Sequence, residues 1–138
     1  MAFKLGSKFS LKLVKNQKGS FDYKIIRYED FEKTFKLFET EKLFAKNPEK
    51  ETIEVIFGIG YSRDGKEEKD YKTVMLLRNN YDFPLQYDAD IKIWNKDDFE
   101  KTTVTPLYPG TRHTEFWPYK IDYIALINFT HFSYQKHE

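Results

Sequence analysis

The sequence contains no cysteine. That excludes a disulfide framework, thiolate-ligated zinc and thiol nucleophiles. Long apolar runs are missing too. The longest, such as Val55-Ile56-Phe57-Gly58-Ile59 and Ile124-Ala125-Leu126-Ile127, fall far short of the ~20 residues a membrane-crossing helix needs. Residues Met1 to Lys8 include basic side chains but no apolar stretch of the signal-peptide kind. Charge of one sign is also lacking: 23 Lys and Arg face 22 Asp and Glu, a net charge of +1. Such a balance gives no global attraction to nucleic acid or to an anionic membrane. A length of 138 residues fits one domain. The 40% hydrophobic content suffices for a folded core. Aromatics are abundant, with 13 Phe, 10 Tyr and 2 Trp, so their placement becomes the main functional question.

Period-two alternation dominates the chain and predicts strands. Phe3, Leu5, Phe9, Leu11 and Leu13 share one parity, while Lys4, Gly6, Lys8, Ser10 and Lys12 take the other. This reads as one half-buried strand with a solvated lysine face, of the charge-protected edge type. Asn16-Gln17-Lys18-Gly19 reads as a turn, after which Phe21, Tyr23 and Ile25 resume the alternation. Ile26 and Tyr28 shift its phase, which predicts a bulge or a strand end. Residues 30–46 are ambiguous. Phe31, Phe35 and Phe38 have helical spacing after a capping Asp30, whereas Phe35 and Leu37 also fit a strand. Asn47-Pro48 opens a loop.

The later segments read more plainly. Ile53, Val55, Phe57, Ile59 and Tyr61 alternate, and Asp64-Gly65 marks a turn. Val74-Met75-Leu76-Leu77 is continuous enough for a central strand buried on both faces. Leu85, Tyr87, Ala89, Ile91 and Ile93 alternate, and a last strand runs over about Tyr123 to Phe132. Six or seven strands with polar turns and no βαβ rhythm predict one all-β domain spanning 1–138, an antiparallel sandwich or barrel, with room for one short helix near 30–46.

The stretch Leu76-Leu77-Arg78-Asn79-Asn80-Tyr81-Asp82-Phe83-Pro84-Leu85-Gln86-Tyr87-Asp88-Ala89 resembles the strand-loop-strand of immunoglobulin-like β-sandwich domains in bacterial envelope proteins and lipoproteins. Thr105-Pro106-Leu107-Tyr108-Pro109-Gly110 and Phe116-Trp117-Pro118 are similar to the loops before the final strand of such domains. The resemblance covers roughly residues 52–132. It implies an antiparallel immunoglobulin-like sandwich and an exported structural or binding module. A periplasmic or secreted location, with a leader outside this sequence, is the corresponding expectation. The chain departs from antibody-type domains in having no Cys pair.

Catalytic and metal motifs are sparse. His113, His131 and His137 match no zinc spacing, and no serine sits in a G-x-S-x-G elbow. Gly58-Ile59-Gly60 lacks the third glycine and the helix of a dinucleotide site, so it reads as a bulge or a close backbone approach. Asp88 and Asp90 share the outward face of a strand, as cross-strand partners do. Asp97 and Asp98 are a minor candidate for loop-bound calcium, but no cofactor or metal is implied. Lys4, Lys8, Lys12, Lys15 and Lys18 could line a groove for single-stranded nucleic acid, yet the inward parity of the Phe residues argues against it. Asn128-Phe129-Thr130 matches a glycosylation sequon inside an apolar strand and reads as coincidence.

Tyr81, Tyr108, Trp117 and Tyr119 fall in expected loops and Trp94 at a strand end. Loop aromatics supply contact area at low entropic cost, which suits recognition of a partner. These five residues are the candidate binding site. The expected function is a non-catalytic binding module with a protein partner; carbohydrate and lipid are alternatives. A lipocalin-like barrel for a small apolar ligand is the runner-up. A carboxylate-based enzyme stands behind it.

Overall fold

The computed structural model describes residues 1–37, 39–61 and 71–132. These residues form ten strands: β1 Phe3–Lys4, β2 Ser7–Lys15, β3 Phe21–Asp30, β4 Thr34–Lys36, β5 Ile53–Tyr61, β6 Tyr71–Asn79, β7 Leu85–Ile93, β8 Glu100–Thr102, β9 Arg112–Trp117 and β10 Ile121–His131. The path through the sheet is β8-β7-β10-β3-β2-β5-β6-β9, with β1 on β10 and β4 on β5. Every pairing is antiparallel except β4 with β5. The fold is therefore all-β, as expected, and the sheet curls into a half-barrel. Two well-paired ladders, β8-β7-β10-β1 and β3-β2-β5-β6-β9, meet at a single residue pair, Phe129 with Phe21.

The alternation explains the interior. Phe9 and Leu11 from β2, Ile53, Val55 and Phe57 from β5, and Met75 and Leu77 from β6 point inward. They meet Leu85, Tyr87, Ala89 and Ile91 from β7 and Ile124, Leu126 and Phe129 from β10. Phe3 stacks on Phe9 with ring centroids 3.8 Å apart. Each fully buried Phe or Leu contributes about 1.5–3 kcal/mol, so this shared interior holds the two ladders together despite their thin seam.

The first strand departs from expectation. Gly6 adopts a positive φ of 85°, and the chain breaks there into β1 and β2 on different ladders. Nor is β2 an edge. It lies between β3 and β5, where Lys8 sits 3.9 Å from Glu29 and Lys12 stands opposite Lys24. β3 pairs with β10 only at Phe21, so most of its outer side is unpaired among the described residues. That strand is blunted by Asp22, Lys24, Arg27, Glu29 and Asp30 and by a bulge opposite Ser10 and Leu11, which leaves Ile26 as the extra residue. The phase shift at Ile26 is this bulge.

Residues 30–46 do not form the short α-helix that the Phe spacing allowed. They contain β4 and one 3₁₀ turn, Glu41–Leu43. Phe38, the third residue of that spacing, lies outside the described residues, as do Ser62, His137 and the Asp64-Gly65 turn. The cause is tertiary. Ile56, Val74 and Leu76 form an apolar patch on the outer face of β5 and β6, and Phe35 and Phe44 cover it. Gly58 and Gly60 permit the approach. A Cβ on Gly60 would stand 3.0 Å from Val74, 3.1 Å from Leu37 and 3.2 Å from Phe35. The expectation of close backbone approach at these glycines holds. So does burial of Val74 to Leu77 on both faces.

Candidate functional site

The five candidate aromatics divide between the two ends of the barrel. β7 separates them. Its nine residues run from Leu85, beside Leu107, to Ile93, beside Ile121. At ~3.3 Å per residue that is roughly 26 Å, too far for one continuous platform.

At the first end, the strand-terminal Asn79 is fully buried and clamps two loops. Its Nδ2 donates to the carbonyls of Phe83 and Leu107, and its Oδ1 accepts from the N–H of Tyr81. Tyr81 is half-buried, and its hydroxyl accepts the N–H of Leu13 at 2.8 Å. Burial pushes its phenol pKa up. This side chain ties a loop to β2 and has little left to offer a ligand. Tyr108 is exposed and packs edge-on against Phe132, with centroids 6.2 Å apart. Its N–H donates to Nε2 of His113 at 2.9 Å. Burial lowers the His113 pKa, which suits a neutral imidazole acting as acceptor.

At the second end two turns are joined. The N–H of Trp94 donates to the carbonyl of Lys120 at 2.9 Å. Thr73 Oγ1 donates to the carbonyl of Tyr119 at 2.8 Å and accepts from the N–H of Ile121 at 3.1 Å. Asn95 turns the chain with a φ of 66°, a left-handed conformation that asparagine tolerates. Trp94 is 59% exposed and Tyr119 43% exposed, on backbone held from both sides. Lys96, Asp97, Asp98 and Lys120 surround them in the same turns.

Trp117 differs from expectation. It lies on β9 rather than in a loop, faces the core, and donates its indole N–H to Thr102 Oγ1 at 3.0 Å. Its neighbour Phe116 takes the outward position and is 59% exposed. Sequence reasoning missed Phe116 and the exposed Phe99 as candidate contact residues. The alternation of Phe116 and Trp117 on one short strand was the available signal, since only one of the two can face inward.

The acid and metal candidates are dispersed. Asp88 accepts from Asn128 Nδ2 at 2.9 Å and lies 3.9 Å from Lys101. Among the described residues, no three His, Asp or Glu side chains come together as a metal site, Asp97 and Asp98 included. The interior includes Phe9, Phe57 and Phe129, with Tyr87 stacked on Phe129 at 5.4 Å. No family model, curated protein or solved structure matches the chain.

Proposed function

We propose that this chain is a non-catalytic binding module that contacts a protein partner through Trp94 and Tyr119. One observation carries the reading: a tryptophan 59% exposed on a turn whose backbone is hydrogen-bonded in place. An ordered, exposed indole loses little entropy on binding and offers the large contact area of an interaction hot spot. The charged side chains around it suit the polar rim of a protein interface. Tyr108, with Phe132 beside it, is a second and separate aromatic surface, while Tyr81 and Trp117 support the loops and the core.

The finer fold reading belongs to the same proposal. Two ladders facing each other across one interior are in keeping with an immunoglobulin-like module of a bacterial cell envelope. That kinship rests on the sequence resemblance over residues 52–132. The large side chains buried in the interior, Phe9, Phe57 and Phe129 among them, favour this over a lipocalin-like carrier.

The test is site-specific photocrosslinking in the native host, with the reactive group at position 94 and, as control, at position 18. The expectation is one discrete protein adduct from position 94. For that protein in purified form, Trp94→Ala should weaken binding by about thirtyfold, the size of a ~2 kcal/mol hot spot. No adduct, or unchanged affinity in the variant, overturns the proposal.

A further inference from the structure

The covering segment over the outer face of β5 and β6 stops short of the end of β6. Beyond Leu76 the outward row of β6 ends at Arg78, and Arg112 of β9 stands directly opposite it. Like charges facing each other across a ladder destabilise it unless something neutralises them. Glu54 neutralises Arg78: Nε donates to Glu54 Oε1 at 2.9 Å, and Nη2 donates to the same oxygen and to the Ala45 carbonyl. Arg112 has a poorer counter-ion. Its Nη2 lies 3.3 Å from Glu41, whose side chain is 80% exposed and so well screened.

The covering segment brings more positive charge to the same place. Lys42 and Lys46 join Arg78 and Arg112 around a pocket of about 480 Å³, whose remaining lining is Glu41, Phe44 and Ala45. Four cations thus meet two carboxylates, Glu41 and, through Arg78, Glu54. No ion pair among the described residues engages Lys42 or Lys46. The Arg78 guanidinium lies over the Phe44 ring, 5.0 Å from its centroid.

We infer that this pocket binds a small multivalent oxyanion of the phosphate class. Several charged oxygens on one ligand can meet Arg112, Lys42 and Lys46 together, and guanidinium and ammonium donors are the groups that recognise phosphate. A monocarboxylate brings a single negative charge to these three cations. The ligand would bridge the covering segment to β9, so binding should also hold residues 41–46 on the sheet. The inference is independent of the contact proposed at Trp94.

The probe is pyrophosphate at constant ionic strength, followed by amide chemical shifts in the full chain. The expectation is saturable change at Lys42, Lys46 and Arg112 with a dissociation constant below about 1 mM. Combined Arg112→Gln and Lys46→Gln substitutions, which spare the Glu54–Arg78 pair, should weaken it at least about tenfold. Lys18→Gln, in the β2–β3 turn, should leave it unchanged. Shifts that rise linearly without saturation, or that persist in the double variant, overturn the site. Citrate binding as tightly as pyrophosphate overturns the phosphate assignment.

Discussion

Removing Glu54 tests the central electrostatic claim about the fold. Its carboxylate accepts from Arg78 Nε and Nη2 and from Asn80 Nδ2, and the side chains of Arg78 and Glu54 are only 15% and 12% exposed. Glu54→Leu strands a guanidinium that cannot deprotonate and leaves Asn80 without that acceptor. A buried pair broken on one side costs about 3–5 kcal/mol, and the residual exposure places this one near the lower end, about 3 kcal/mol. Arg78→Leu strands the carboxylate instead and also frees the Ala45 carbonyl, so its cost should be similar. Replacing both by leucine removes both charges and fills the site with apolar surface, so the double variant should be more stable than either single one. Urea unfolding of the three variants, with a common slope, measures the cycle. Hydrogen exchange should show residues 41–46 opening first in the two variants that lack Arg78, because Arg78 holds Ala45. Single-variant costs under about 1 kcal/mol, or a double variant that loses the sum of the two, would refute the reasoning.

Three further outcomes follow from the polar groups at the barrel ends and in the interior. Tyr87 is buried, its hydroxyl has no hydrogen-bond partner among the described residues and burial raises its pKa, so Tyr87→Phe should be neutral or stabilising by about 1 kcal/mol in urea unfolding. A loss above about 1 kcal/mol would reveal a hydrogen bond to that hydroxyl. Thr73→Val frees the Tyr119 carbonyl and the Ile121 N–H and should cost about 1–3 kcal/mol, with amide exchange at Ile121 accelerated; unchanged exchange there contradicts the role given to Thr73. His113 has a pKa depressed below its ordinary 6.5 by burial, so the folded state favours the neutral ring. Its contribution is fully present above pH 6.5 and is lost as the pH falls through the lower folded value. Melting temperature measured from about pH 7.5 down to about pH 5 should therefore fall less steeply in His113→Gln than in the parent. Parallel curves would remove His113 from the acid response.

Much of the strand layout was written in the sequence. A side chain on a strand faces one of two sides, so alternation alone assigned Val55, Phe57, Tyr87 and Ile91 to an interior. The broken phase at Ile26 marked the bulge, and Gly58 and Gly60 marked a close approach without saying what approaches. Local pattern does not carry neighbour relations. It could not place β2 inside the sheet, because alternation marks the two faces of a strand and says nothing of what pairs along its edges. It could not choose between helix and strand for residues 30–46, because the deciding partner, the patch of Ile56, Val74 and Leu76, comes later in the chain.

For function the division is sharper. Composition alone determined that disulfides and thiol chemistry are excluded and that aromatic side chains are plentiful. Only the tertiary structure decided which aromatics are available. It turned Trp117 inward onto Thr102, spent the Tyr81 hydroxyl on Leu13, and set Trp94 and Tyr119 at the opposite end of β7 from Tyr108. Likewise, Lys42, Lys46, Arg78 and Arg112 are scattered in sequence and meet only because β9 pairs with β6 beneath the covering segment. Burial and adjacency are properties of contacts between distant residues, and those contacts exist only once the sheet has curled around its interior.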